Sequence, residues 1–233
     1  MTESPSFPPL LTGLSAADPM AEAIALAREG CDGGTLLHAV QADRLRAAIV
    51  FAPEVPLAQA LTVLVVCGIG FQNALGALAP PEVAVHLDWT GAIRLNGGRC
   101  GALRPAASTS DPEAVPDWLV IGLDLALIRL TETPGATPDL TSLHEEGCGE
   151  VDGLHLLEAW ARHMLVWLNR WSDEGNRPIH AEWMPLVWGL DKPATIAGLS
   201  GTFIGTDESF GMLLKDGATT HLIPLTRLLE ERA

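Results

Sequence analysis

The pattern of apolar and polar positions along the chain predicts three long helices. They are expected over residues 18–30, over the apolar run 57–78 and over 152–175. Asp18 and Asp152 stand where a side chain can accept hydrogen bonds from the free N–H groups of a first helical turn. In the last helix, large apolar residues recur every three or four positions, so one broad side should face the core. Those residues are Leu157, Trp160, Met164, Trp167 and Trp171.

Shorter apolar or alternating runs between the helices predict the strands of a sheet. These runs lie at 35–40, from Ala47 onward, at 83–89 and at 118–127. Residues 41–46 have the composition of a polar turn. The segment 87–103, LDWTGAIRLNGGRCGAL, predicts a β-hairpin that turns at Asn96-Gly97, because both residues tolerate a positive φ. The run at 118–127 is almost wholly apolar, as expected of a strand buried on both faces.

The composition changes near Arg177-Pro178, after which short strands alternate with turns. The strand candidates are GTFIGTD, SFGMLLKDG and TTHLIPL, and Asp216-Gly217 is a hairpin turn. Short strands without a long helix predict a small SH3-like β-barrel. The expected fold class is therefore α+β, with a mixed or antiparallel central sheet flanked by helices. Residues 1–177 would form the main domain and residues 178–233 the small C-terminal domain.

The formal net charge of −15 excludes two classes of partner. A phosphate backbone or an anionic membrane surface needs a basic footprint on the protein, so neither nucleic acid nor a membrane is expected to bind. The apolar run 57–78 contains Gln59, Gln72 and Asn73 and lacks flanking Lys or Arg, which favours a buried core helix. The four cysteines form no C-x-x-C pair, and the N-terminus lacks a basic signal region. Free thiols and a cytoplasmic location are therefore expected.

Common catalytic motifs are missing from the sequence. HEEGC at 144–148 lacks the second histidine of the zinc-protease motif and lies in a loop-like segment, so no metal site is expected there. The G-x-G of CGIGFQ lies inside a helical run rather than after a strand, so it does not indicate dinucleotide binding. Neither a G-x-S-x-G elbow nor a P-loop sequence occurs.

Three segments, in order along the chain, carry a resemblance to a known family. VAVHLDWTGAIRLNGGRCGAL is similar to a K-W-P-N-D strand followed by a hairpin and a (K/R)-x-x-G-I-L strand. VIGLDLAL is similar to an I-G-x-G-I-N strand, and GTFIGTDESFGMLL to a C-terminal G-x-x-x-G-I-D-x-x-G-x-L-L. From about residue 15 to 225 the chain thus resembles the biotin protein ligases of the biotin/lipoate ligase superfamily. The resemblance implies a class II synthetase-like fold, ATP and magnesium, and transfer of an acyl-adenylate to a lysine of an acceptor domain.

The chain departs from this family pattern where adenylation chemistry is expected. The family's loop G-R-G-R-R-G-R corresponds to HAVQADRLRAAIV, which holds Arg44 and Arg46 but no glycine run. Trp89 is kept, but Thr-Gly-Ala follows it where Pro-Asn-Asp is usual. Arg99 stands in place of a lysine, and Asp124 in place of an asparagine. A carboxylate at that position would repel an adenylate phosphate unless a metal bridged the two.

The predicted ligand site therefore combines the hairpin with two neighbouring strands. Arg99 is the candidate for binding an acid and the candidate catalytic residue, because a guanidinium can hold a carboxylate bidentately. The candidate ligand-binding residues are Arg44, Arg46, Trp89, Arg99, Gly101, Ala102, Gly122 and Asp124. Three functions stay open: a diverged, catalytically silent protein that binds a small carboxylate, an active ligase that uses ATP and magnesium on an acceptor protein, or an interaction protein with an empty pocket. Whether the turn-rich segment 131–150 is a lid also stays open.

Overall fold

The computed structural model describes residues 5–129, 137–196 and 198–230. The strands, in chain order, are β1 Thr12–Ser15, β2 Thr35–Val40, β3 Arg44–Phe51, β4 Val85–Leu87, β5 Ala92–Leu95, β6 Gly98–Ala107, β7 Leu119–Ala126, β8 Pro193–Ile196, β9 Leu199–Thr206, β10 Met212–Asp216 and β11 Thr219–Ile223. The helices are α1 Pro19–Arg28, α2 Leu57–Ala60, α3 Thr62–Leu78, α4 Gly153–Glu174, α5 Asn176–Trp183 and α6 Arg227–Glu230.

Two sheets are formed by the strands of the described residues. Seven strands make the main sheet, in the order β1-β2-β3-β7-β6-β5-β4. β1 and β2 run parallel, and the other neighbouring pairs run antiparallel. This confirms the predicted mixed sheet. The C-terminal strands form a four-stranded antiparallel sheet in the order β11-β10-β9-β8, which is consistent with the predicted small barrel.

The three long helices form where the pattern predicts them. Asp18 and Asp152 each accept hydrogen bonds from first-turn N–H groups, as expected of capping residues. The apolar run 57–78 becomes α2 and α3, with a break at Leu61. By length and composition this run could cross a membrane, but 72% of its apolar window is buried inside the molecule, as in a core helix. The apolar side predicted for α4 is also confirmed, since Trp160 and Met164 are fully buried.

β3 begins earlier than the sequence predicts. The turn expected over 41–46 is shorter in the structure, because Arg44 and Arg46 already stand on the strand. Both alternate with buried apolar residues, and the ladder with β7 reaches to Arg44, which lies opposite Ala126. The side chains of both arginines therefore extend from a strand, on one face of the sheet, and not from a loop.

The predicted hairpin turn at Asn96-Gly97 is confirmed. Its two residues have φ angles of 48° and 95° and join β5 to β6. β4, which pairs with β5, is shorter than the predicted strand at 83–89 and ends at Leu87. Asp88 instead begins a turn, in which its carbonyl accepts from the Gly91 N–H at 2.9 Å.

The two faces of the main sheet are covered differently. The face that packs on α3 and α4, here called the covered face, holds the main core. There Trp160 donates from Nε1 to the Cys67 carbonyl at 3.0 Å, and Gly70 lies directly against the backbone of Met164, so the two helices pack closely. The opposite face, here called the open face, packs on α1 through a smaller apolar cluster. α1 covers only part of it, and polar side chains occupy the rest.

The C-terminal sheet packs against the main sheet through buried contacts. Trp89, in the turn between β4 and β5, donates from Nε1 to the Phe210 carbonyl at 2.7 Å. The Asp216-Gly217 turn joins β10 to β11 as predicted, with a φ of 56° at Gly217. Residue 177 lies within α5. The division into domains 1–177 and 178–233 stays a prediction.

Candidate functional site

A group of arginines gathers on the open face of the main sheet, towards one end of its strands. They come from β3, β6 and the segment after β7, and they are Arg44, Arg46, Arg99, Arg104 and Arg129. Strand alternation explains two of them. Leu45 and Ala47 point to the core, so Arg44 and Arg46, which alternate with them along β3, point the other way. In a chain with a net charge of −15, this is a local concentration of positive charge.

A cleft of about 330 Å³ lies among these arginines. Its lining consists of Asp43, Arg44, Arg99, Cys100, Gly101, Ala102, Arg104, Asp124, Ala126, Ile128, Arg129, Leu140 and Thr141. A volume of this order is at the lower end of the range for small-molecule sites. The cleft brings together five of the predicted site residues, namely Arg44, Arg99, Gly101, Ala102 and Asp124.

Arg44 and Asp124 form a bidentate ion pair across β3 and β7. Nε of Arg44 donates to one carboxylate oxygen at 2.6 Å, and a terminal nitrogen donates to the other at 2.7 Å. The hydrogen bond and the charge of Asp124 raise the pKa of the Arg44 guanidinium. The carboxylate that replaces the expected asparagine is thus balanced by a neighbouring cation. A metal bridge is not required to neutralise it.

Arg99 is held by its backbone while its side chain stays exposed. Its N–H donates to the Asp139 carbonyl at 2.8 Å, and its carbonyl accepts from the Thr141 N–H at 3.0 Å. Its guanidinium makes no ion pair or side-chain hydrogen bond within the described residues. The same is true of Arg104, which lies further along β6. Two guanidinium groups beside the cleft are therefore available to an anionic ligand.

The segment 137–148 lies beside the cleft and lines it with Leu140 and Thr141. Arg129 donates to the Leu140 carbonyl at 2.5 Å and pairs with Glu145 at 3.3 Å. Glu146 accepts from Asn96 at 2.8 Å and from the Thr141 hydroxyl at 2.5 Å. These contacts tie residues 137–148 to the hairpin and to the segment after β7. The first part of the segment considered as a lid, residues 131–136, lies outside the described residues.

Arg46 and Gly122 line a second recess, beside the first turn of α1. This recess has a volume of about 440 Å³ and shares Asp124 and Arg104 with the cleft. Nε of Arg46 is buried and has no hydrogen-bond partner within the described residues. An unpaired donor of this kind is costly unless a ligand or water completes it. The predicted residues of β3 and β7 thus line two adjacent cavities, with Arg44 in the cleft, Arg46 and Gly122 in the recess, and Asp124 in both.

Trp89 does not lie with the other predicted site residues. It is 3% exposed and belongs to the main core on the covered face. The space beside it is nearly filled by leucine and aromatic side chains, leaving a cavity of only about 10 Å³. The predicted pocket between Trp89 and Arg99 is therefore not found, because the turn at Asp88 directs the indole into the core.

Gly101 serves strand packing rather than the approach of a ligand. A Cβ at this position would lie 2.3 Å from the carbonyl oxygen of Asp124 on β7, closer than any real contact. Glycine therefore lets β6 and β7 pair at this point. Gly101 still lines the cleft through its backbone, as does Ala102 beside it.

Neither a thiol nucleophile nor a metal centre is formed at the cleft by the described residues. Cys100 lines the cleft, but its buried Sγ contacts the Ala126 carbonyl at 3.4 Å. Burial raises the pKa of Cys100 to about 12, so the thiol stays protonated at neutral pH. Among the described residues, no group of three His, Cys, Asp or Glu side chains is placed to hold a metal ion.

Sequence reasoning missed Arg104 and Arg129. Arg104 could have been predicted as a site residue, because it lies two residues after Ala102 and its side chain is therefore on the same side of β6. Arg129 could not have been predicted from the pattern, since it follows β7 and its position at the cleft depends on contacts with Thr137, Leu140 and Glu145.

Comparison with known proteins decides the family. The model of the biotin/lipoate A/B protein ligase family matches residues 7–185. The chain belongs to this family. Residues 192–231 match a second model, a domain of unknown function named DUF4444. The chain is 26% identical over 182 residues to a biotin–[acetyl-CoA-carboxylase] ligase of Paracoccus denitrificans, covering 76% of this chain and 75% of that protein.

Solved structures agree with the family and the fold. A biotin protein ligase-like protein of unknown function from Silicibacter sp. TM1040 is 57% identical and superposes with a TM-score of 0.93, covering 97% of this chain and 99% of the other. The biotin protein ligase of Aquifex aeolicus, at 15% identity, superposes with a TM-score of 0.75 and covers 94% of this chain and 96% of its own. The predicted biotin ligase-like fold is thus confirmed.

Proposed function

We propose that this protein binds a small carboxylate in the arginine-lined cleft on the open face and does not adenylate it. The observation that carries the proposal is the set of guanidiniums without a carboxylate partner, Arg99 and Arg104, beside an Arg44 already balanced by Asp124. Arginine forks match the two oxygens of a carboxylate, and the partly enclosed cleft reduces solvent screening. An acid rather than a cation or a neutral sugar is the ligand class that this lining favours.

The proposed lack of adenylation rests on two features of the same cleft. Only residues 41–43 separate β2 from β3, and the turn is closed by Gln41 N–H donating to the Arg44 carbonyl at 2.8 Å. This turn is too short to cover nucleotide phosphates. The residues present also do not fit magnesium, because Asp124 is already bound to Arg44, which leaves Asp43 as the one other carboxylate among the described residues that line the cleft. No group of three potential metal ligands is formed by the described residues.

Isothermal titration with biotin, lipoate and octanoate tests the binding. At least one acid should bind, and Arg99→Ala should weaken it about tenfold to a hundredfold, the cost of losing a hydrogen bond to a charged group. Arg177→Ala is the matched control, because Arg177 is exposed on α5, which packs with α3 and α4. If none of the acids binds, the proposal fails and an interaction protein with an empty pocket is favoured.

Pyrophosphate release separates the silent protein from an active ligase. With ATP, magnesium and each acid, release should stay at background. Release that rises with an acid and disappears in Arg99→Ala would overturn the proposed silence. It would instead support a ligase that transfers its acyl group to an acceptor protein, in line with the Aquifex aeolicus enzyme solved with biotin and ATP.

A further inference from the structure

Next to the cleft lies a trough beneath α1, which shares Arg104 and Asp124 with the cleft and is lined by both charged and apolar residues. The recess beside the cleft is lined on its far side by Met20 and Ile24 of α1, and a further groove of about 500 Å³ shares these two residues. Arg104 borders all three cavities. A path therefore runs along β6 and β7 from the charged end at Arg99 towards the apolar residues of α1.

Met20 lies across this path. Its half-buried thioether stands over Gly122, and a Cβ on Gly122 would be 2.7 Å from the Met20 sulfur. Gly122 is two residues along β7 from Asp124, roughly 7 Å at the rise of an antiparallel strand. The Met20 side chain thus lies in the trough over Gly122, a short distance from Asp124. Methionine is flexible, so it can close such a gap without fixing its shape.

The charges along the trough set the direction in which an acid would lie. The described residues that line the cleft include four arginines and two aspartates, whereas those that line the recess include two arginines and two aspartates, one of them Asp18 at the start of α1. The excess of positive charge is therefore at the cleft end. An anion at the α1 end would meet the Asp18 carboxylate, so the carboxylate of the ligand belongs at the cleft end. The rest of the ligand then points towards Gly122 and Met20.

We propose that Met20 is a specificity-determining residue that limits the length of the acid bound in the cleft. This inference rests on the proposed function, and it concerns the apolar part of the ligand rather than its carboxylate. A short acid does not reach Met20. A longer straight chain is stopped at Gly122 unless the methionine side chain is shortened.

Titration of butanoate, octanoate and dodecanoate into the wild type and Met20→Ala tests the inference. In Met20→Ala, affinity should keep rising beyond the length at which the wild type levels off, by about fourfold for each further buried methylene. Butanoate should bind both proteins equally. Met20→Leu, which conserves volume, should keep the wild-type limit, and Met184→Ala is the control for a methionine outside the trough.

Two results would overturn the role of Met20 while leaving the proposed function standing. One is the same length limit in the wild type and Met20→Ala. The other is an equal change for all three acids, since the effect would then come from the fold and not from the chain length. Binding of none of the acids to either protein would overturn both proposals.

Discussion

The two faces of the main sheet use the same strands for opposite purposes. β6 and β7 send Leu103, Leu123 and Leu125 into the core on the covered face. The intervening residues of these strands, among them Arg104 and Asp124, line the cleft on the open face. The covered face is sealed by two long helices, whereas α1 seals only part of the open face. The place left uncovered is where the arginines gather.

This comparison shows how far neighbours in a sequence motif can be separated. Trp89 and Arg99 lie ten positions apart in the hairpin segment, yet the indole is in the core and the guanidinium is at the open face. A residue's side of a strand changes with every position, and a turn resets that alternation. The residues of one motif can therefore be predicted to lie on the same pair of strands more safely than to line the same pocket.

Truncating the buried tryptophan should have the largest effect. Trp89→Ala should lower the free energy of unfolding by about 3–5 kcal/mol, because it leaves a cavity and an unpaired Phe210 carbonyl. Chemical denaturation measures this loss. Trp89→Phe keeps most of the packing and should lose less. If Trp89→Ala is as stable as the wild type but loses acid binding, Trp89 belongs to the site after all.

The next largest effect on stability is expected at Gly101, where β6 pairs closely with β7. Gly101→Ala should destabilise the protein by about 1–3 kcal/mol, because the new Cβ must be accommodated against the Asp124 carbonyl. Gly76→Ala is a matched control on α3, where the nearest atom lies 3.9 Å from the added Cβ. That change should stabilise the helix by up to about 1 kcal/mol. Equal thermal midpoints for Gly101→Ala and the wild type would contradict the packing role.

A smaller effect is expected from removing the acidic partner of the cleft. Asp124→Asn frees Arg44 and removes a negative charge, so acids should bind about fivefold more tightly, equivalent to about 1 kcal/mol for one charge at 4 Å in water. Stability should change little, because the pair is partly exposed, at 53% and 30%.

Titrations of Asp124→Asn at low and high salt check the electrostatic origin of this gain. The gain should shrink at high ionic strength, because salt screens charges near the surface. Glu174→Gln, which breaks the ion pair with Arg170 on α4, should leave affinity unchanged. An Asp124→Asn protein with wild-type affinity would mean that the acid binds elsewhere.

The smallest effect is expected from labelling the cysteine thiols. The rate at which each thiol reacts reports how deeply it is buried, and the fold need not be changed to measure it. Cys31 is half-buried, whereas Cys67 and Cys100 are buried, and burial raises the pKa of both of the latter. At pH near 8, a thiol reagent should therefore modify Cys31 first and reach Cys67 and Cys100 only after denaturation. Fast labelling of Cys100 in the folded protein would show that the cleft exposes its sulfur.

Alkaline pH should weaken folding through the same thiols. In the unfolded chain, Cys100 ionises near its ordinary pKa of 9.0, but in the folded protein it does so near 12. Between these values the unfolded state binds fewer protons, so the free energy of unfolding falls as pH rises. Denaturation curves across this range measure the loss, and Cys100→Ala should reduce it.

Local patterns in the sequence were sufficient for most of the elements. The capped starts of α1 and α4, the Asn96-Gly97 hairpin and the apolar side of α4 depend on residues close in the chain, and all are confirmed. The three motifs also indicated the family, because they occur in the same order along this chain as along the chains of the family. The start of β3 was wrong by three residues, since pairing with β7 extends the strand into a polar segment.

The site depended on contacts that no local pattern carries. Arg44, Arg99, Ala102 and Asp124 come together because β6, β7 and β3 are neighbours in the sheet, although they are far apart in the chain. The same pairing places Gly101 against the Asp124 carbonyl and brings Arg104 into the cleft. The sequence by itself determined the elements, the family and the presence of the arginines. Only the tertiary structure decided which face each side chain takes, because that depends on strand order, register and the helices that cover each face.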